Sequence, residues 1–287
     1  MLKSATQLFS KNEVGMTELH INDNEWLDEL FNWADSNEIS PSSFPRNKEQ
    51  LLAMTELSLL GCELTEIPES ISCLSQLTLL NLNKNKLTKI PHTIGKLSRL
   101  THLYVLGNQL TEIPESIGEL SQLTELLLGR NKLSALPESI ARLNHLSVLS
   151  LWHNQFKEIP ESIADLTQLT ELHLGWNQLT EIPAFIGGFR QLIELSLGCN
   201  EITQVPKFIG DLSHLNELSL WQNKLTELPE SIARLTQLTH LMVSGNQITH
   251  LPFSLANLSC LQVFNLSDNV IKVLPDELNN LQGIVEF

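Results

Sequence analysis

Prolines stand 23 residues apart through most of this chain, at Pro68, Pro91, Pro114, Pro137, Pro160, Pro183, Pro206, Pro229, Pro252 and Pro275. Six residues before each of the last nine stands an asparagine: Asn85, Asn108, Asn131, Asn154, Asn177, Asn200, Asn223, Asn246 and Asn269. Cys62 holds the same slot before Pro68. A period carried through ten units without an insertion demands an architecture that repeats with it. No unit of this size can bury its apolar face alone, so neighbours must stack and share one elongated core.

The unit reads L-x-x-L-x-L-x-x-N-x-L-x-x-I-P-x-x-I-x-x-L. Within it, Leu149 and Leu151 alternate with period 2, which predicts a short strand with both leucines pointing inward. The Asn amide can both donate and accept, so it suits the point where the chain turns off the strand. Pro160 fixes φ and lacks a donor, as an irregular return segment allows. Ile163 and Leu166 then close the core from the outer side.

This unit resembles the leucine-rich repeat, in which Asn or Cys is accepted at the turn, and the resemblance runs from about Leu51 to the C-terminus. It implies an α/β solenoid, an arc of ten 23-residue repeats with a parallel β-sheet on its concave side and an N-terminal helical cap. At roughly 4.8 Å per strand the inner wall is about 45 Å long.

Composition narrows the function. Over 287 residues, 33 acidic side chains against 18 basic ones leave a net charge of −15, which argues against nucleic acid as a ligand. Much of that acidity is repeat consensus (Glu112, Glu115, Glu158, Glu161) and reads as a solvated flank. Four cysteines, Cys62, Cys73, Cys199 and Cys260, show no paired spacing, so a reducing compartment is expected. No apolar run reaches transmembrane length and the first residues lack a secretory h-region, so no membrane association is expected. The expected location is the cytoplasm, or a host cytosol for a translocated protein.

The ends differ from the repeats. Residues 1–22 carry little pattern and are expected to be partly disordered. Residues 23–53 are expected to form a helical cap, and 54–287 the solenoid. In the cap, Trp26, Leu27, Leu30, Phe31 and Ala34 recur at helical spacing behind Asp23 and Asn24 as N-caps, with Trp26 and Trp33 assigned to the core. Asn47 with Gln50 offers a capping-box start to a second helix. This block resembles N-terminal segments of bacterial leucine-rich-repeat proteins, among them Legionella-type effectors. At the other end, Ile284 and Phe287 fall on the first two core slots of an eleventh repeat, which either caps the stack or leaves an edge open.

Departures from consensus mark function where the core does not dictate identity. Side chains six, four and two before each Asn face the concave side, and the one just before it lies at the rim. The row two before Asn holds Leu106, Trp152 and Trp221, the indoles flanked by Gly129 and Gly175 or by Gly198 and Ser244, which leave room for a ring to lie over the sheet. The row four before holds Tyr104, Leu127, His173 and Met242; the rim adds Arg130, His153, Trp176 and Cys199. Three of the five tryptophans thus share one predicted solvent-facing wall, and exposed aromatics with arginine mark interaction sites. Beside them Glu125, Glu171, Glu194 and Glu217, six before Asn, form an acidic stripe suited to steering a basic partner.

Catalytic patterns are missing from the sequence. There is no Gly-rich phosphate loop and no Cys-x-x-Cys zinc pattern. His153 and Cys199 lie two strands apart, roughly 10 Å, too far for a base and its nucleophile. The histidines read as isolated groups on a solvated surface. No enzyme activity, metal or cofactor is expected. The reading is a scaffold, monomeric apart from its partner, that holds a folded protein in its concave face, as an effector or an inhibitor. A self-associating structural module and a glycan or small-ligand binder remain open beside it, the last disfavoured because an open curved sheet lacks deep concavity.

Overall fold

In the computed structural model residues 25–287 are described; the expectations for residues 1–22 and for Asp23 and Asn24 as N-caps lie outside them. Helix α1 (Glu25–Ser36) turns Trp26, Leu30, Trp33 and Ala34 into the core, the i, i+4, i+7, i+8 stripe its sequence carries. Trp33 meets Phe44 edge-to-face at 5.8 Å and donates its indole N–H to the Glu66 carbonyl of the first coil at 3.2 Å. A large apolar body with one satisfied polar tip suits that junction. Helix α2 (Lys48–Leu52) starts on Asn47, whose Oδ1 accepts from the Gln50 N–H at 2.9 Å, so the capping half of the expected box is made.

Eleven three- or two-residue strands then pair in parallel in strict sequence order. They are β1 (Glu56–Ser58), β2 (Leu79–Asn81), β3 (His102–Tyr104), β4 (Glu125–Leu127), β5 (Val148–Ser150), β6 (Glu171–His173), β7 (Glu194–Ser196), β8 (Glu217–Ser219), β9 (His240–Met242), β10 (Val263–Asn265) and β11 (Val285–Glu286). From β1 to β10 each partner lies 23 residues on, as in Leu149↔Leu172↔Leu195. Leu149, Leu151 and Ile163 are fully buried and Leu166 nearly so, as their period requires. The return segments are short 3-10 helices, each entered from a proline, such as Glu138–Arg142 after Pro137.

The asparagines are staples between coils. Asn154 Nδ2 donates to the Leu151 carbonyl of its own coil and the Leu128 carbonyl of the coil before, both at 3.0 Å, while its Oδ1 accepts from the Leu133 N–H at 2.9 Å. The same three-way bond recurs in kind at Asn85, Asn131, Asn200 and Asn246. Cys62 sits in the first coil, which has no earlier coil to reach, so its slot carries no such demand.

The residue just before each Asn adopts a left-handed backbone: φ is 52° at Arg130, 54° at His153, 56° at Trp176 and 55° at Cys199. That conformation costs a non-glycine residue about 1–2 kcal/mol. Gly61, Gly107 and Gly245 avoid it in three coils. The turn holds because each rim N–H is tied forward to the next coil, His153 to the Gly175 carbonyl and Trp176 to the Gly198 carbonyl, both at 2.8 Å.

The last strand corrects an expectation. Phe264 pairs with Val285 rather than with Phe287, a register two residues short of the repeat. A two-residue slip preserves which face each side chain takes, so Val285 fills the inward position and Phe287 is left 51% exposed instead of entering a core slot. Ile284 remains packed against the core.

Candidate functional site

Strands β4 to β8 carry the aromatic wall. Trp152 and Trp221 follow β5 and β8 by two residues, where the pleat turns them toward solvent on the concave side. Each indole leans over the glycine of the preceding coil: a Cβ added at Gly129 would overlap the Trp152 ring, and one at Gly198 the Trp221 ring. Neither glycine has positive φ, so the backbone does not require glycine there. The expected room for the rings is therefore present, on the Gly129 and Gly198 sides. A glycine inside a sheet weakens it, and here the indole explains the weakness.

The rings form a continuous chain. The Arg130 guanidinium lies 4.8 Å from the Trp152 ring centroid. Trp152 meets His153 edge-to-face at 6.0 Å, His153 stacks on Trp176 at 6.0 Å and 22°, and Trp176 meets Trp221 edge-to-face at 5.8 Å. The left-handed rim turn is what swings Trp176 and His153 outward to join the two sheet indoles, and Trp176 is 51% exposed.

These walls enclose a concave cavity of about 540 Å³ that includes Trp152, Trp176, Trp221, Leu106, Leu127 and His173, with Gly175 and Gly198 between the rings. The cavity is open to solvent, as expected of a curved sheet, with ring side chains standing on the sheet as its walls. Glu125, Glu171, Val148, Ser150 and Ser196 complete the lining. The two serines belong to the same four-before-Asn row as His173, so the row periodicity could have found them. Tyr104 on β3 and Met242 on β9 stand outside these walls. A larger groove of about 770 Å³ lies on the flank, around Pro206, Pro229 and Pro252.

His173 is not an isolated group, which corrects the expectation for it. His173 lies between two carboxylates, Nε2 at 3.3 Å from Glu171 Oε2 and Nδ1 at 3.4 Å from Glu194 Oε1. Only the strand register brings Glu194, one coil on, beside it. The three groups place ligand-type atoms within 4.8 Å of one another. Both ring nitrogens face carboxylate oxygens, so a metal would first have to displace one of them. Burial holds the Glu194 carboxyl above its ordinary range; His173 opposes the shift, while Glu217 and Glu171 add to it.

Tyr104, the sole tyrosine, donates its hydroxyl to Glu125 Oε2 at 2.6 Å. Burial first, then that hydrogen bond and the Glu125 charge, push its phenol up to about 12. Phenolate absorbance should therefore titrate near the value of about 12, and Glu125→Gln should bring the midpoint back toward the free phenol. Because the folded value is raised, the associated stability is complete below about pH 10 and declines as pH rises through the folded value. A midpoint equal to that of free tyrosine would refute the bond.

Among the described residues all four cysteines are free, and no helix is long and apolar enough to cross a membrane. A family model described as "Leucine-rich repeat region" matches residues 115–201 and 195–286, and another described as "Leucine rich repeat" matches 53–110. No curated protein sequence matches. Among solved structures, a leucine-rich-repeat protein of Leptospira interrogans is 31% identical over 83% of this chain and 73% of its own, with a TM-score of 0.62. An internalin, InlF, of Listeria monocytogenes is 27% identical over 90% of this chain and 82% of its own, with a TM-score of 0.71. The plant peptide hormone receptor RGFR1, solved in complex with RGF2, is 31% identical over 77% of this chain and 41% of its own, with a TM-score of 0.61.

Proposed function

Because the chain belongs to the leucine-rich-repeat family, whose fold is a typical scaffold for protein–protein interaction, we propose that it holds a folded partner protein in its concave face. Trp152, Trp176 and Trp221 are the anchors, with Arg130, His153, His173, Leu106 and Leu127 around them and Tyr104 and Met242 at the margins. The observation that carries this is the unbroken run of ring contacts from Arg130 to Trp221 around a solvent-open cavity. Tryptophan and arginine dominate binding hot spots, and large apolar groups kept at the surface need a reason.

Likeness to the Leptospira protein and the internalin supports a bacterial setting, and the partner is then a host protein or another bacterial protein that this one covers or inhibits. Unpaired cysteines support a reducing cytosol, the cell's own or a host's. A small ligand or glycan is the second reading, favoured by the cavity's volume.

Affinity capture from the native cell with the natural protein, Trp152→Ala and Trp221→Ala tests the proposal. Each variant should lose about 2 kcal/mol of partner affinity, roughly thirtyfold, with unchanged circular dichroism. Equal recovery of the partner by all three proteins refutes it. Glycan-induced quenching of tryptophan fluorescence, lost in both variants, would favour the second reading.

A further inference from the structure

We infer that the occupant of the tryptophan-walled cavity is a cationic side chain, arginine or lysine, borne on a basic segment of the partner and set against Glu125 and Glu171. This rests on the recognition reading above and adds the chemistry of what is recognised.

The walls suit a cation. An indole face is the best aromatic surface for a positive charge. The structure contains an example, since the Arg130 guanidinium sits 4.8 Å from the Trp152 centroid. Glu125 and Glu171 line the same cavity, and the parallel register continues Glu171 into Glu194 and Glu217 on the next two strands. Like charges directly opposite on neighbouring strands destabilise a sheet. Three carboxylates in succession with His173 among them leave the site short of positive charge. Glu194 registers this, held above its usual range by burial and by both neighbouring glutamates.

A cation entering from solvent relieves the crowding, whereas an anion would meet it head on. The net charge of −15 steers in the same direction at longer range. The positive group at the site is Arg130 at the rim; His102, His173 and His240 each lie beside a glutamate. At about 540 Å³ the cavity has room for the flanking residues of a peptide as well as for one side chain.

Three blocked pentapeptides, identical except for a central arginine, norleucine or glutamate, separate charge from apolar contact. They are titrated into the full chain in EDTA, which removes bridging metal, and read by tryptophan fluorescence. The arginine peptide should bind about tenfold or more tighter than norleucine, and the glutamate peptide not at all. Glu125→Gln/Glu171→Gln should erase the difference between arginine and norleucine while the protein keeps its circular dichroism. Norleucine binding as tightly as arginine, or no arginine binding at all, overturns the inference. If norleucine still depends on Trp152 in that case, the recognition face stands without its charge selectivity. Indifference of every peptide and of the captured partner to Trp152→Ala would remove the recognition reading itself.

Discussion

Asn154→Ala should destabilise the protein by about 2–4 kcal/mol, because one buried backbone N–H is orphaned, at about 1–3 kcal/mol, and two buried carbonyls each lose one of two donors. The N–H is that of Leu133; the carbonyls are those of Leu128 and Leu151, which keep the Asn131 and Asn177 amides, around a side chain only 8% exposed. Asn154→Asp should be worse. It keeps the acceptor for Leu133 but sets a buried charge against two carbonyls. The position joins the fourth and fifth coils, and stability in such an array is a sum over neighbours. Weakening one joint in the middle should therefore broaden or split the urea transition as well as shift it. A single transition moved by less than about 1 kcal/mol would mean that water replaces the amide, and that the staple is dispensable.

Gly129→Val/Gly198→Val should abolish partner binding without touching a tryptophan. Each new side chain occupies space now held by an indole, Trp152 in one case and Trp221 in the other. Both backbones accept valine, since neither φ is positive, and valine favours a strand. The fold should persist while both rings are driven off the sheet. The two indoles do not touch, being linked only through His153 and Trp176, so their losses should nearly add. At about 2 kcal/mol each, affinity falls by about 4 kcal/mol, close to a thousandfold. Gly188→Ala is the control, because an added Cβ there meets nothing. A double variant that binds normally would mean the rings are not the anchors.

The coil architecture was legible because 23-residue spacing, alternating leucines and a turn amide constrain one another. The burial of Leu149, Leu151 and Ile163 follows from period alone. The left-handed rim had a signal that was passed over, three glycines in the slot before Asn at Gly61, Gly107 and Gly245. The setting of His173 does not show along its own row of the repeat. Its partners Glu171 and Glu194 sit in the row beside it, on its own strand and the next. The cavity's walls are side chains, so the spacing of the strands does not show them. The final slip of register, Phe264 onto Val285, departs from the 23-residue spacing, and no spacing rule encodes it.

The rim turn has a bearing on how such a face changes. Its geometry is enforced by main-chain bonds to the following coil, so the side chain there does no structural work. Arg130, His153, Trp176, Cys199 and Gln222 all occupy it, and glycine does equally well. That makes the position an interchangeable display site, with a similar modest conformational penalty whichever bulky group is shown. A lineage could revise its binding specificity there one coil at a time, while the leucine interior never registers the exchange.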